Sequence, residues 1–301
     1  MAALAATTLI GAVLAPLGGT AAANDSSGAA AGSRGYQVAV LGDTPYGDEQ
    51  RVQFPALVDA VNADPQVRLV LHAGDVKSGS STCDDVRFAD LAALFDTFED
   101  PFVLTPGDND WTDCHRLNNG AYNPLERLDA VRDIFFPVSG QATGGRPMHV
   151  LTQAADPEQA TYVENVRFER HHVVFATVHV VGSENSLAPW SGLGLRTVTP
   201  EQQAEFDARQ AANLDWIDAT FDDAVARDAA GVLLMMQAEP LESVGFVAVR
   251  ERILQRAADF GKPVLLVHGD EHVYEVEPAY GGVANLTRLE TFGATATEWL
   301  R

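Results

Sequence analysis

Five polar fragments, each set directly after an apolar run, constrain this chain more than any other feature. Val38–Leu41 runs into Gly42-Asp43-Thr44-Pro45-Tyr46. Leu69–Leu71 precedes Gly74-Asp75-Val76-Lys77-Ser78-Gly79, and Phe102–Leu104 precedes Pro106-Gly107-Asp108-Asn109-Asp110. Val232–Met236 leads to Gln237-Ala238-Glu239-Pro240, and Val264–Val267 leads to His268-Gly269-Asp270-Glu271-His272. Short apolar runs bounded by Gly, Pro and Asp read as buried parallel strands. In open α/β sheets the ligand site lies beyond the carboxyl ends of the strands. The five loops are therefore expected to converge. Carboxylate and amide oxygens gathered with imidazole suit divalent metal ions.

The rest of the pattern supports an α/β chain. Strands over 37–42, 68–73 and 101–105 alternate with helices near 49–63, 84–98 and 124–136, the last opened by Asn123-Pro124. That is a βαβαβ run with right-handed crossovers. Residues 161–169 and 172–181 read as a hairpin. Phe206, Leu214, Ile217, Phe221 and Val225 stripe one face of a long helix over 200–227. Strand 231–236, helix 244–259, strand 263–268 and a closing strand near 284–290 complete the chain. Two sheets with outer helices in one domain, residues 36–301, is the simplest architecture.

The charge balance narrows the partners. Twenty Lys and Arg face 42 Asp and Glu, a net charge of −22. Such a surface repels nucleic-acid phosphates and anionic membranes, so binding of either by a basic face is not expected. Met1–Ala23 carries no charge, has an apolar core at Leu9–Leu14 and ends in Thr20-Ala21-Ala22-Ala23. It reads as a signal peptide, although the usual basic start is absent. Residues 24–35, rich in Ala, Gly and Ser, read as a flexible leader. No other stretch reaches about 18 uninterrupted apolar residues, so no membrane span is expected in the mature chain. A secreted, periplasmic or cell-surface location follows. Cys83 and Cys114, an even pair in an exported chain, are expected to form a disulfide.

Taken in order, the fragments resemble the calcineurin-like metallophosphoesterases. The Gly-Asp-x-Lys-Ser-Gly-Ser-Ser and Pro-Gly-Asp-Asn-Asp-Trp-Thr-Asp-Cys loops resemble those of a secreted bacterial branch. The resemblance covers most of the mature chain. It implies a four-layer α/β/β/α sandwich of two mixed sheets and a site for one or two divalent ions, Mn, Mg, Ca, Fe or Zn. The implied substrate is a small-molecule or lipid-headgroup phosphoester, hydrolysed by metal-activated water. Asp75 matches the carboxylate that bridges two ions. Asp43 and His272 match ligands of the first ion, and Tyr46 is a further candidate there.

The second ion's ligands depart from the family pattern. Asp-x-His becomes Asp43-Thr44-Pro45, and proline cannot ligate. Gly-Asn-His-Asp becomes Gly107-Asp108-Asn109-Asp110, so either Asp108 or Asn109 is the ligand. In the second alignment Asp110 takes the catalytic histidine's place. Gln237 and Asp270 stand where histidines are expected, which favours harder ions. His268 is a candidate compensating ligand or acid. Lys77 is a candidate for phosphate or charge compensation, and His115 for a general acid. The rival expectation is a degenerate site on a retained fold, acting as a binding or scaffold protein.

Overall fold

The structure, a computed structural model, describes residues 36–301. The signal peptide expected over 1–23 and the leader over 24–35 lie outside the described residues. The first sheet is built from β1 (Gln37–Leu41), β2 (Val67–His72) and β3 (Phe102–Leu104), all parallel and in that order. A short antiparallel pair, β4 (Gln141–Ala142) and β5 (Met148–His149), lies beside it through a bridge between Phe102 and Thr143. On the opposite edge Leu300 pairs with Val40.

The second sheet takes β6 (Leu151–Thr152), β7 (Val166–Arg170), β8 (Val173–Thr177), β9 (Gly231–Met235), β10 (Val264–His268), β11 (Glu275–Pro278) and β12 (Leu286–Glu290). Its order is β11-β12-β10-β9-β8-β7-β6. The pairs from β8 through β9 and β10 to β12 are parallel, and the outer pairs antiparallel, so the sheet is mixed.

Helices cover the outer faces. On the first sheet lie α1 (Gly47–Ala63), α2 (Asp85–Phe95) and α3 (Pro124–Phe135). Phe54, Leu57, Val58 and Val61 recur at helical spacing on α1 and meet Phe88, Phe95, Phe98 and Phe102 in one core. Asp84 and Asn123 cap α2 and α3 by accepting from Arg87 N and Leu125 N. On the second sheet lie α4 (Pro200–Ala226) and α5 (Val247–Phe260). Thr199 and Gln202 form a capping box at the start of α4, with Pro200 in the first turn. Trp216, Ile217 and Phe221 of α4 pack with Val249 and Ile253 of α5 on Val232, Leu234 and Leu266.

A third core lies between the sheets. Leu69, Leu71 and Val103 of the first meet Phe168, Phe175, Leu233, Met235 and Val267 of the second. Strands buried on both faces have no polar side to show, which is why their sequences are unbroken apolar runs. Three cores between four layers make the expected α/β/β/α sandwich. Among the described residues no helix is long and apolar enough to cross a membrane.

Candidate metal centre

Each of the five fragments begins within about three residues of a strand's carboxyl end, and the two sheets bring those ends together. Several chain positions at the turns are left-handed: Asp43 has φ 52°, Asp75 φ 57°, Asp270 φ 83° and His272 φ 64°. Such conformations cost free energy outside glycine and gather at functional sites. They re-aim each side chain across the strand ends rather than along a sheet face.

Two groups of donor atoms result. Asp43, Asp75 and His272 offer atoms all within 4.8 Å of one another, and so do Asp75, Asp108 and Asp270. Asp75 belongs to both. The Tyr46 hydroxyl sits inside the first group, donating to Asp75 Oδ2 at 2.7 Å and lying 3.3 Å from both Asp43 Oδ1 and His272 Nε2. The sheets are tied there by the Asp270 N–H, which donates to both Asp43 carboxylate oxygens at 3.2 Å.

The Asp108–Asp110 loop is pressed against Asp75. A Cβ on Gly107 would fall 2.0 Å from Asp75 Oδ1 and 2.4 Å from Asp75 N, so no side chain fits there. Asn109 N donates to Asp75 Oδ1 at 3.0 Å, and Asn109 Nδ2 donates to the Tyr46 hydroxyl at 3.1 Å. The Asp108 carboxylate stands in the second group, and Asn109 turns its Nδ2 toward Tyr46 and Asp75. Asp110 belongs to neither group. It accepts the N–H of Gly107 at 2.7 Å, of Val76 at 2.9 Å and of Asp75 at 3.1 Å, clamping two loops together.

Gln237 is buried beneath the second group. Its Oε1 accepts the Gly182 N–H at 2.7 Å, which turns its Nε2 toward Asp270 Oδ1 at 2.8 Å. The side chain expected as an oxygen ligand therefore offers a donor to the acids. His268 is also placed differently from expectation. Nδ1 donates to Gly269 O at 2.7 Å and Nε2 accepts from Arg288 at 3.1 Å, so both nitrogens are engaged away from the groups. Burial lowers its pKa to about 4, which keeps it neutral. His115 is buried too, and Nδ1 accepts the Gly192 N–H at 3.1 Å. Among the described residues it has no hydrogen bond to an acid of either group. Lys77, 1% exposed, donates to Ser78 O at 3.2 Å. Burial lowers it to about 8 against the opposing pull of Asp110 and Asp75, so it is charged at neutral pH.

The disulfide forms between Cys83 and Cys114, with Cα atoms 5.8 Å apart. Both sulfurs lie 3.7 Å from Asn109 O, so the bridge fastens the Asp75 and Asp108 loops at the back of the site. Trp111 is fully buried under the Arg209 guanidinium, at 5.4 Å, and anchors the same loop.

One segment had no signal in the sequence pattern. After β8 the chain makes a left-handed helical turn in which Ser183 (φ 51°), Glu184 (φ 59°), Asn185 (φ 52°) and Ser186 (φ 74°) all lie at positive φ. Left-handed helix costs roughly 1–2 kcal/mol per residue in L-amino acids. Arg209 of α4, fully buried, holds the turn. It donates to Asn185 Oδ1 at 2.6 Å, Ser186 Oγ at 2.8 Å, Asn185 O at 3.0 Å and His179 O at 3.1 Å. The turn delivers the Gly182 N–H to Gln237 and Ser183 Oγ to Asp108 Oδ2 at 3.0 Å and Asp113 Oδ1 at 2.8 Å.

Electrostatics ask for cations at this point. Desolvation raises Asp43 despite its bond with His272, and desolvation with Asp108, Asp110 and Asp43 raises Asp75 well above the usual range. Burial first and neighbouring acids second bring Asp113 to about 7 and Asp270 to about 8. Carboxyl groups that resist ionisation because they are buried together fit divalent ions as counter-charges.

The pH dependence follows in sign. A carboxyl raised on folding contributes stability below its ordinary pKa and loses it as pH rises through the folded value. His272, raised chiefly by its bond to Asp43, acts in the same sense. The buried His72, His179 and His268, all lowered, oppose this only below about pH 7, and Lys77 opposes it above about 8. In chelator, stability should therefore fall between pH 7 and 8, by up to about 1.4 kcal/mol per pH unit for each proton released. Urea midpoints read this directly, and a midpoint that rises over that interval would contradict it.

The family model described as calcineurin-like phosphoesterase matches residues 36–274. The chain belongs to the calcineurin-like phosphoesterase family, whose members are generally metal-dependent hydrolases of phosphoesters using divalent ions. No curated protein matches it. A solved structure described as "GAP50 the anchor in the inner membrane complex of Plasmodium" is similar at 12% identity, covering 88% of this chain and 76% of that one, with a TM-score of 0.41.

Proposed function

We propose that this chain is an exported, metal-dependent phosphoesterase whose two ion sites share Asp75. The observation that carries the reading is that one carboxylate belongs to two separate three-donor groups. Two cations a few Å apart repel, and an anion common to both is what such a pair requires. Asp43, Asp75 and His272 would hold the first ion, with Tyr46 beside it. Asp75, Asp108 and Asp270 would hold the second, an all-carboxylate set that favours Mg²⁺, Mn²⁺ or Ca²⁺ over softer ions. Ions bound there would polarise a phosphoryl group and acidify a water nucleophile.

The chain's own residues set up that chemistry. The Tyr46 hydroxyl, raised well above its ordinary pKa by burial and by Asp75, keeps its proton and orients Asp75 Oδ2. Asp110 spends its lone pairs on backbone N–H groups, so it positions the loops rather than moving protons. Lys77 offsets acid charge from behind the site. The uncharged apolar start and the disulfide support export.

A degenerate, non-catalytic site is the second reading. It is favoured by Gln237, whose amide nitrogen rather than a ligand atom faces Asp108 and Asp270. Elemental counting of ions after dialysis against Mn²⁺, with initial rates on aryl phosphate mono- and diesters, separates the two. The enzyme reading expects one to two ions per chain and ion-dependent turnover. Neither ions nor turnover with Mn²⁺, Mg²⁺ or Ca²⁺ would leave the scaffold reading.

A further inference from the structure

The acids of this centre repel the anionic substrate they are meant to receive, and the chain as a whole carries a net charge of −22. The cations near the centre differ in what they can still do. Lys77 is sealed from solvent, and His272 is engaged with Asp43 and Tyr46. Arg116 is different: its side chain is 42% exposed and its guanidinium pairs through Nη2 with Asp113, which is 3% exposed. Among the described residues that is the guanidinium's one side-chain partner, so its other N–H groups have no side-chain acceptor.

Arg116 is also seated by construction. A Cβ on Gly79 would stand 2.9 Å from Arg116 Nη1 and 2.7 Å from Asn109 Oδ1, so the missing side chain leaves the guanidinium room next to the amide that touches Asp75. A Cβ on Gly192 would strike His115 O at 2.0 Å and Arg116 Cα at 2.9 Å, so a second glycine admits the backbone. Asp113 in turn shares Ser183 Oγ with Asp108. A chain of contacts thus runs from the second donor group to one half-exposed planar cation.

We propose that Arg116 docks a non-bridging phosphoryl oxygen of the substrate and makes the centre selective for phosphate monoesters over diesters. The proposal rests on the phosphoesterase reading above. Guanidinium is the side chain best matched to phosphate, through short charge-assisted hydrogen bonds. The selectivity follows from counting oxygens. A monoester has three non-bridging oxygens and a diester two. Were ions at the two donor groups each to hold one of them, the monoester alone would keep a free one for Arg116. A dianionic monoester also gains more than a monoanionic diester from the added charge.

The test uses the full chain loaded with Mn²⁺, its Arg116→Met and Arg116→Lys variants, inorganic phosphate as calorimetric probe, and an aryl monoester and diester as substrates. Arg116→Met should keep its ion content, bind phosphate at least about tenfold more weakly, and lose kcat/KM on the monoester by a similar factor. Its diester rate should change less than about threefold. Lysine should recover the loss only in part, since it restores charge without the planar fork. Unchanged phosphate binding, equal losses on both esters, loss of ions, or full recovery by lysine would each overturn the assignment. Should the Mn²⁺-loaded wild type neither bind phosphate nor turn over either ester, the phosphoesterase reading itself fails and this one goes with it.

Discussion

Replacing Asp75 by asparagine should reduce bound metal to less than one ion per chain and lower aryl phosphate turnover by about 1,000-fold or more. The size follows from the position. Asp75 is the only residue common to both donor groups among the described residues. Its loss weakens two sites at once, and the several kcal/mol of charge stabilisation from paired ions converts to at least three decades of rate. The metal-free protein should respond in the opposite sense. Desolvation and its acid neighbours hold the Asp75 pKa well up, so removing that charge relieves repulsion; asparagine's one oxygen can still accept from Asn109 N, and its amide nitrogen can donate to the Tyr46 hydroxyl, which turns its own proton to Asp43 Oδ1. In chelator the variant should be at least as stable as the wild type at pH 8. Elemental analysis, initial rates and urea midpoints check the three statements. A variant that keeps its full complement of ions and rate would remove Asp75 from the centre.

Arg209→Met should cost about 3–5 kcal/mol of stability, the largest effect expected from any single change away from the donor groups. Arg209 is fully buried and bonds Glu205 Oε1 at 2.7 Å besides the four contacts that hold the left-handed turn. Methionine fills much of the volume but leaves Asn185 O, His179 O and the Glu205 carboxylate short of a partner. It also removes part of what keeps that backbone at positive φ, leaving the bonds of Asn185 to Gly245, of Ser186 O to Gln202 and of Ser183 to Asp108. Because the turn delivers Gly182 to Gln237 and Ser183 to Asp108, the second ion should bind more weakly while the first is little changed. Urea unfolding in chelator and ion counts at limiting Mn²⁺ measure the two effects. A loss under about 1 kcal/mol would mean that the turn holds itself.

The parts legible in the sequence are those with a local physical cause. Unbroken apolar runs such as Gly231–Met235 and Val264–His268, about five residues long and bounded by Gly or Pro, read as strands buried on both faces, which sets the polar residues that follow them at the strand ends. That reasoning locates Asp43, Asp75, Asp108, Asp270 and His272 within one loop cluster. The two-residue strands β4, β5 and β6 and the edge strand β11 are too short or too exposed to leave a period-two signal. The left-handed turn at 183–186 contains no glycine, so nothing in its composition announces positive φ.

The direction of a side chain is another matter. Gln237 and His268 occupy loop and strand-end positions as good as those of Asp75 and Asp270, yet neither offers a ligand atom. Gln237 is turned by the N–H of Gly182 on the neighbouring strand's loop, and His268 is held by Arg288 of β12. Arg116 lies outside every apolar-run fragment, and only Gly79, Gly192 and Asp113 show where its guanidinium stands. The sequence by itself determined the alternating buried strands and the loops that carry the five acid-, amide- or histidine-bearing fragments, because strand burial and loop position follow from apolar periodicity along the chain; the four-layer sandwich and the shared place of Asp75 were implied only by the resemblance of those fragments to a family. Only the tertiary structure decided which oxygens face one another, since those directions depend on hydrogen-bond partners that belong to other strands, another helix and the opposite sheet.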